Sequence, residues 1–262
     1  MKQRLDVLLY EKGYFDSREK ARIAVMEGRV YVNGAISDKP GAQVKEDAVI
    51  EIKGDNCPYV SRGGYKLEKA LKVFGIDPKD FICLDIGSST GGFTDCLLQN
   101  GAKKVYALDV GTNQLAYKLR TDCRVVVMEK TNFRTLDTES FPEAVDFACT
   151  DVSFISLKLI FPNAFRLLKD GASIIALVKP QFEAGREQVG KKGIVKDPKA
   201  HFQVIENTIA YAKDNGFCIK GLDYSPIKGG SGNIEFLLWM KRSDEEDDPV
   251  DIDAVISAAH NA

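Results

Sequence analysis

The amino-acid sequence predicts an α/β chain in which a mainly parallel, doubly wound sheet follows a small α+β domain. Three observations carry this. Apolar runs at 81–86, 104–109, 125–129, 145–150, 173–179, 217–224 and 233–241 alternate for the most part with helical patterns, as expected of a parallel sheet covered on both faces. The last two runs are joined by a turn holding Pro226, Gly229, Gly230 and Gly232, too short for a crossover helix. They must therefore pair as an antiparallel hairpin. The run at 81–86 ends in an acid, Asp85, and a glycine-rich turn, and the run at 104–109 ends in a second acid, Asp109.

The elements follow in order. Leu5, Leu8, Leu9 and Tyr10 predict a short helix closed by Gly13. Asp16 and Glu19 have the spacing of an N-capping box, opening a helix that stops at Gly28. Residues 29–32 read as a strand, Asn33-Gly34 as a hairpin turn and 49–52 as a further strand. The stretch 54–58 is the most linker-like of the chain. The expected organisation is a domain at 1–56, a linker at 57–60, an α/β domain at 61–242 and an acidic tail at 243–262. A helix at 64–74 precedes the first sheet strand. The tail is expected to be solvated, with a short helix at 250–259.

The glycine turn argues for a class of ligand. Strand ends of a doubly wound sheet line the ligand crevice. Asp109 lies 22 residues beyond Gly87, about where an acid accepts hydrogen bonds from a ribose. A dinucleotide fingerprint needs glycine at three positions, which here are Gly87, Ser89 and Gly92. The missing middle glycine weakens the nicotinamide reading and favours a nucleoside without phosphates, such as S-adenosylmethionine. The expected cofactor contacts are Asp85, Gly87, Ser88, Ser89, Thr90, Gly91, Gly92 and Phe93, with Asp109 and Val110 at the next strand end. Thr131 and Asn132 follow the third strand, where an adenine ring would lie.

Composition excludes several classes. No apolar stretch approaches the ~18 residues of a membrane span, and Asp6 and Glu11 interrupt any signal-like start. The six cysteines are scattered and form no C-x-x-C pair, so they read as reduced thiols of a cytoplasmic protein, with no metal site. The net charge of -2 conceals seven acids and no Lys or Arg in the last twenty residues. The rest of the chain is thus at about +5, mildly basic and compatible with nucleic acid. His201 and His260 have no suitable sequence neighbours and read as surface residues.

Two resemblances add to this reading. Arg4-Leu5-Asp6, residues 17–21 (SREKA) and 28–34 (GRVYVNG) resemble the small RNA-binding domain of the ribosomal S-four type. Arg18 and Arg22 share a helix face, and Arg4, Arg18, Arg22 and Arg29 form a candidate strip for RNA phosphates; an ordinary solvated helix face is the alternative. Residues 60–67 (VSRGGYKL), 85–94 (DIGSSTGGFT), 151–157 (DVSFISL), 178–183 (VKPQFE) and 232–236 (GNIEF) complete a nearly end-to-end match. The chain resembles the TlyA, or hemolysin A-like, family, whose catalytic domain is similar to the FtsJ-type RNA ribose methyltransferases. The fold implied is a Rossmann-like, seven-stranded methyltransferase sheet. The activity implied is S-adenosylmethionine-dependent methylation of a ribose 2'-hydroxyl of ribosomal RNA, with cytidine as target. Ribosomal RNA or ribosomal subunits are the expected partners of a monomer or weak homodimer without stable membrane association. Arg62, in the 60–67 motif, is a further RNA candidate.

The family's catalytic tetrad falls on Lys66, Asp151, Lys179 and Glu235. The predicted layout agrees. Asp151 and Lys179 sit at the carboxyl ends of parallel strands, and Glu235 near the start of the antiparallel one. Lys66 is early in the preceding helix, with its approach to the others left open. Lys179 is expected nearest the reacting hydroxyl, as hydrogen-bond donor or as base, with Asp151 orienting it and Lys66 and Glu235 holding substrate. The glycine-bearing basic segment 181–196 is read either as an RNA clamp or as a solvated connection. Two other readings stand beside the enzyme: a membrane-active hemolysin, and a non-catalytic RNA-binding or assembly protein. Ser153 lacks the G-x-S-x-G surround of a hydrolase nucleophile.

Overall fold

The structure, a computed structural model, describes residues 2–15, 17–26, 28–53, 57–190, 193–229 and 232–262. Two compact units divide at Pro58 and Tyr59.

The first unit contains β1 (Lys2–Arg4), α1 (Leu5–Glu11), α2 (Arg18–Met26), β2 (Val30–Val32), β3 (Ala35–Ile36), β4 (Gln43–Lys45) and β5 (Ile50–Ile52). Leu5, Leu8 and Leu9 of α1 pack on Ala21, Ala24 and Val25 of α2 and on Val30. The Asp16 half of the expected capping box lies outside the described residues. Ser17 caps α2, its Oγ accepting the Lys20 N–H at 3.2 Å. Asn33 and Gly34 both have positive φ, 51° and 79°, the hairpin turn the dipeptide favours, and join β2 to β3. Strand order is β3-β2-β5, with β1 and β4 paired separately.

The second unit opens with α3 (Gly63–Phe74) and continues through β6 (Ile82–Ile86), α4 (Gly92–Gln99), β7 (Lys104–Leu108), α5 (Tyr117–Arg120), β8 (Val125–Met128) and β9 (Val145–Thr150). It ends with α6 (Phe161–Leu167), β10 (Leu168–Val178), α7 (Pro180–Glu183), α8 (Pro198–Asp214), β11 (Phe217–Tyr224), β12 (Phe236–Arg242) and α9 (Ile252–Asn261). The sheet runs β11-β12-β10-β9-β6-β7-β8. β10, β9, β6, β7 and β8 are parallel neighbours, and β12 is antiparallel to both β10 and β11. This is the expected mainly parallel sheet with a C-terminal antiparallel hairpin. Chain order moves outward from β6 in both directions, so the switch point lies between the carboxyl ends of β6 and β9, where such sheets bind ligands.

The C-terminal segment holds the short helix expected at 250–259, as α9, and exposed acids at 244–248, but it is docked where a free solvated tail was expected. Ile252, Val255, Ile256 and Ala259 recur at helical spacing, and Ile256 and Ala259 are buried in the main core. Ahead of this helix, Asp247 Oδ1 accepts the Ile219 N–H at 2.7 Å, and the Asp248 N–H donates to the Ile219 carbonyl at 2.8 Å. The acidic stretch thus occupies backbone groups of β11, the outer strand, which a bare sheet edge would leave open. Lys220 pairs with Glu245 and Asp248, and Lys213 with Asp247.

Of the two histidines read as surface residues, His260 is exposed as expected and His201 is not. His201 is fully buried, 3.1 Å from the Val195 carbonyl through Nε2 and 3.1 Å from His260 Nε2 through Nδ1. A carbonyl only accepts, so Nε2 of His201 carries the proton and its Nδ1 accepts from His260. Burial lowers the His201 pKa, consistent with a neutral ring joining α8 to α9.

Candidate active site

The glycine turn is built by close approach. Gly87 has φ +84°, and a Cβ there would lie 3.0 Å from both the Asp151 carbonyl oxygen and Val152 Cγ1. Only glycine lets the end of β6 pass so near the end of β9. A Cβ at Gly92 would meet Ser61 Oγ at 2.4 Å and the Gly64 nitrogen at 2.9 Å. The turn therefore presses on the start of α3, and this contact delivers Lys66 to the switch point.

There Lys66, Asp151, Lys179 and Glu235 meet. Lys66 Nζ lies 2.7 Å from Glu235 Oε2 and 3.2 Å from Asp151 Oδ2. Lys179 Nζ lies 2.5 Å from Asp151 Oδ1 and donates to Ser153 Oγ at 3.0 Å. The Lys66–Glu235 contact is an ion pair without hydrogen-bond alignment at Oε2. Lys66, Lys179 and Glu235 are buried, while the Asp151 side chain keeps 20% of its surface. Glu235 directly precedes β12, one position outside the strand expected to contain it.

Burial opposes the charge on Lys66, but Asp151 and Glu235 outweigh it and hold the pKa above its ordinary value. Burial likewise pushes Asp151 up, and Lys66 and Lys179 override it, so its pKa lies below the ordinary value. Two ammonium groups and two carboxylates thus alternate in a chain with no net charge. Such an arrangement tolerates burial because each ion has a partner.

The cofactor candidates separate into three places. Ser89 and Thr90 are exposed on the turn, whereas Ser88, Gly91, Gly92 and Phe93 are buried within it. Asp109 follows β7, accepting the Ser89 N–H through Oδ2 at 2.8 Å and the Gly111 N–H through Oδ1 at 2.7 Å. Each oxygen keeps a further lone pair for a ligand. Val110 beside it is 70% exposed. Thr131 is half-buried, and its N–H donates to the Asp109 carbonyl; Asn132 is exposed and caps the next turn through Arg134.

Asp85 is placed differently from the expectation that it lines the crevice. It has no exposed surface, and its Oδ2 accepts both the backbone N–H and the hydroxyl of Thr94, at 2.9 and 2.6 Å. It holds the turn from behind. Burial pushes its pKa up to about 7, against the two Thr94 hydrogen bonds. An unfolded aspartate titrates near ~4. Between these values the folded chain keeps a proton that the unfolded chain has lost, so this group's contribution to stability falls as pH rises. We expect Asp85→Asn, which still accepts from Thr94, to raise Tm relative to the parent more at pH 8 than at pH 5. Equal shifts in the two melts would remove Asp85 as their source.

The N-terminal arginines form a tighter group than a strip. Arg4 makes a bidentate contact with Asp6 at 3.0 Å, and Arg18 reaches the same carboxylate at 3.0 Å. Asp6 is buried while both arginine side chains remain about half exposed. The Arg4 guanidinium, with Arg18, holds Asp6 below its ordinary pKa against the effect of burial. Arg22 pairs with Glu19 on its own helix face at 3.5 Å. Arg29 is half-buried, and Arg62 is exposed at the N-terminus of α3, one turn before Lys66. Ser153 is the contact that the sequence reading passed over; its signal was its position two residues after Asp151.

A seven-stranded sheet with charged groups converging at its switch point defines a methyltransferase of the FtsJ-like class, and that family's profile matches residues 59–242. The S4 domain profile matches residues 3–50. YqxC of Bacillus subtilis, named provisionally as an rRNA methyltransferase, is 59% identical over 240 residues, covering 91% of this chain and 85% of its own. The 16S/23S rRNA (cytidine-2'-O)-methyltransferase TlyA of Mycobacterium tuberculosis is 41% identical over 239 residues, covering 91% and 89%. A solved structure from Streptococcus thermophilus, named provisionally as a hemolysin, superposes with a TM-score of 0.80 at 52% identity, covering 99% of this chain and 96% of that one. The chain belongs to the TlyA family of hemolysin-like rRNA methyltransferases, which join an S4 domain to an FtsJ-like domain.

Proposed function

We propose that this chain transfers a methyl group from S-adenosylmethionine to the 2'-hydroxyl of a cytidine ribose in ribosomal RNA. The observation that carries the reading is the meeting of Lys66, Asp151, Lys179 and Glu235 beside the glycine turn. The close approach at Gly87 and the free lone pairs of Asp109 fit a nucleoside. Asp109 would hold its ribose, Ser89 and Thr90 would face it, and Val110 with Thr131 and Asn132 would border the adenine. Asp85 would keep the turn in shape without touching the cofactor.

The bound cofactor supplies a methyl group on an electrophilic sulfonium. The chain's residues act on the hydroxyl. Lys179 donates a hydrogen bond to its oxygen as the proton leaves, stabilising the negative charge that develops. Asp151 orients Lys179, and Lys66 and Glu235 complete the charge pairing and hold the ribose. Alignment of the oxygen behind the methyl carbon contributes several kcal/mol. The cofactor would supply the methyl carbon and leave as a neutral thioether, and the hydroxyl proton would pass to solvent. Arg4 and Arg18, with Arg22, Arg29 and Arg62, supply cations for RNA phosphates.

Among the described residues no helix is long and apolar enough to cross a membrane, and nothing in the site favours a hemolysin over the enzyme. The test is transfer of labelled methyl to ribosomal RNA and to ribosomal subunits, followed by mapping of alkali-resistant linkages. Label at a cytidine 2'-oxygen is the expected result. Absence of label, or label on a base, would refute the assignment.

The donor site carries its own prediction. Asp109→Ala removes the ribose acceptor and the anchor for the Ser89 and Gly111 amides. We expect S-adenosylmethionine affinity to fall about ten- to a hundredfold by calorimetry, roughly 1–3 kcal/mol. Unchanged affinity would take Asp109 out of the cofactor site.

A further inference from the structure

Two loops at the carboxyl edge of the sheet are tied together away from the tetrad. Glu183 ends α7, four residues after Lys179. Its Oε1 accepts the Leu157 N–H at 2.8 Å, and its Oε2 accepts the Ser156 hydroxyl at 2.7 Å. Both partners belong to the loop that follows β9 and begins with Asp151. Beside this tie, the Phe154 and Phe182 rings pack at 4.9 Å between centroids. Phe154 has φ +61° and is 90% exposed, an uncommon conformation for a bulky residue.

Lys179 reads the geometry of this loop. An ammonium has three donors. One meets Asp151 Oδ1 and another Ser153 Oγ, two points on the same loop. With two donors held, the direction of the third follows. Glu183 has no role in the tetrad, and its carboxylate is spent on this loop. Burial pushes its pKa up, against the hydrogen bonds it accepts from Leu157 and Ser156.

We propose that Ser153 and Glu183 are positioning residues for Lys179. Ser153 orients the ammonium directly, and Glu183 fixes the loop that presents Ser153. The inference rests on the reading that Lys179 serves the reacting hydroxyl.

The experiment is single-turnover methyl transfer to ribosomal RNA at saturating donor, with donor and RNA affinities measured on the same full-length proteins. Ser153→Ala and Glu183→Ala should each slow transfer about tenfold, the scale of one lost orienting hydrogen bond. Both affinities should stay within about twofold, since the contact orients a group that acts on charge present only in the transition state. The double variant should be no slower than the slower single, because one residue acts through the other. Ser153→Thr should rescue through its hydroxyl. Glu183→Gln should rescue too, its carbonyl accepting from Leu157 and its amide donating to a rotated Ser156 hydroxyl. Full rates in both alanine variants, losses confined to affinity, or losses that multiply in the double variant would each overturn the proposal. Ser153 is exposed, so Ser153→Ala decides the question even where Glu183→Ala does not fold. A wild-type protein inert on ribosomal RNA, or Lys179→Ala at the wild-type rate, would overturn the underlying reading instead.

Discussion

Lys179→Ala is expected to reduce single-turnover methyl transfer by about a thousandfold while RNA and donor affinities hold within a few fold. The donor it removes is aimed at charge that exists only as the hydroxyl proton departs, and losing one such donor costs about 10²–10³ in rate. Ground-state binding does not use that contact, so the loss appears in kcat and not in KM. Lys179→Arg should not rescue, because the planar guanidinium cannot replace a compact ammonium held by Asp151 and Ser153. Asp151→Ala should be equally inactive but less informative. It leaves Lys66 with Glu235 alone and Lys179 without a carboxylate, and breaking such a buried pair costs roughly 3–5 kcal/mol of stability. Near-normal transfer by Lys179→Ala at saturating RNA and donor would sink the mechanism and favour a non-catalytic RNA-binding role.

The second large effect concerns the first unit. A protein beginning at Tyr59 should bind S-adenosylmethionine normally, since every proposed donor contact lies beyond that residue. Its methylation of limiting ribosomal RNA should fall about a hundredfold, from loss of phosphate contacts. Arg18→Ala combined with Arg22→Ala is the milder version. It leaves Asp6 its bidentate partner Arg4, so the buried carboxylate keeps a counter-charge. Removing two phosphate contacts should flatten the dependence of log affinity on log salt by about 1–2 units of slope. Full activity of the shortened protein on its natural substrate would contradict the RNA-binding role.

Much of the architecture was legible because its signals are local. All seven strands of the large sheet hold an apolar run, and the expected bounds lie close to the observed ones except at β10, which begins at Leu168, five residues before the run expected at 173–179. The hairpin of β11 and β12 followed from a loop too short for any other connection. By contrast β1 (KQR), β3 (AI) and β4 (QVK) lack the apolar β-branched run that marks the equally short β2 (VYV) and β5 (IEI). The helix of the tail was legible and lies at Ile252–Asn261, but its docking was not, because acids dominate the composition ahead of it. Its function in the fold depends on the backbone edge of β11, which is remote in sequence.

The sequence by itself determined the sheet, the glycine turn and the strand-end positions of Asp151 and Lys179. Each follows from the order of short-range patterns and from the rule that parallel strands share one carboxyl edge. Only the tertiary structure decided which groups touch. Lys66 reaches Asp151 because Gly92 and Gly64 let α3 approach the turn. Asp85 is hidden behind that turn, and Arg4 and Arg18 share one buried carboxylate. His201 finds His260 only because α9 lies against α8. These contacts depend on distances between segments far apart in the chain. Close packing sets such distances to fractions of an ångström, and no local pattern of residues encodes them.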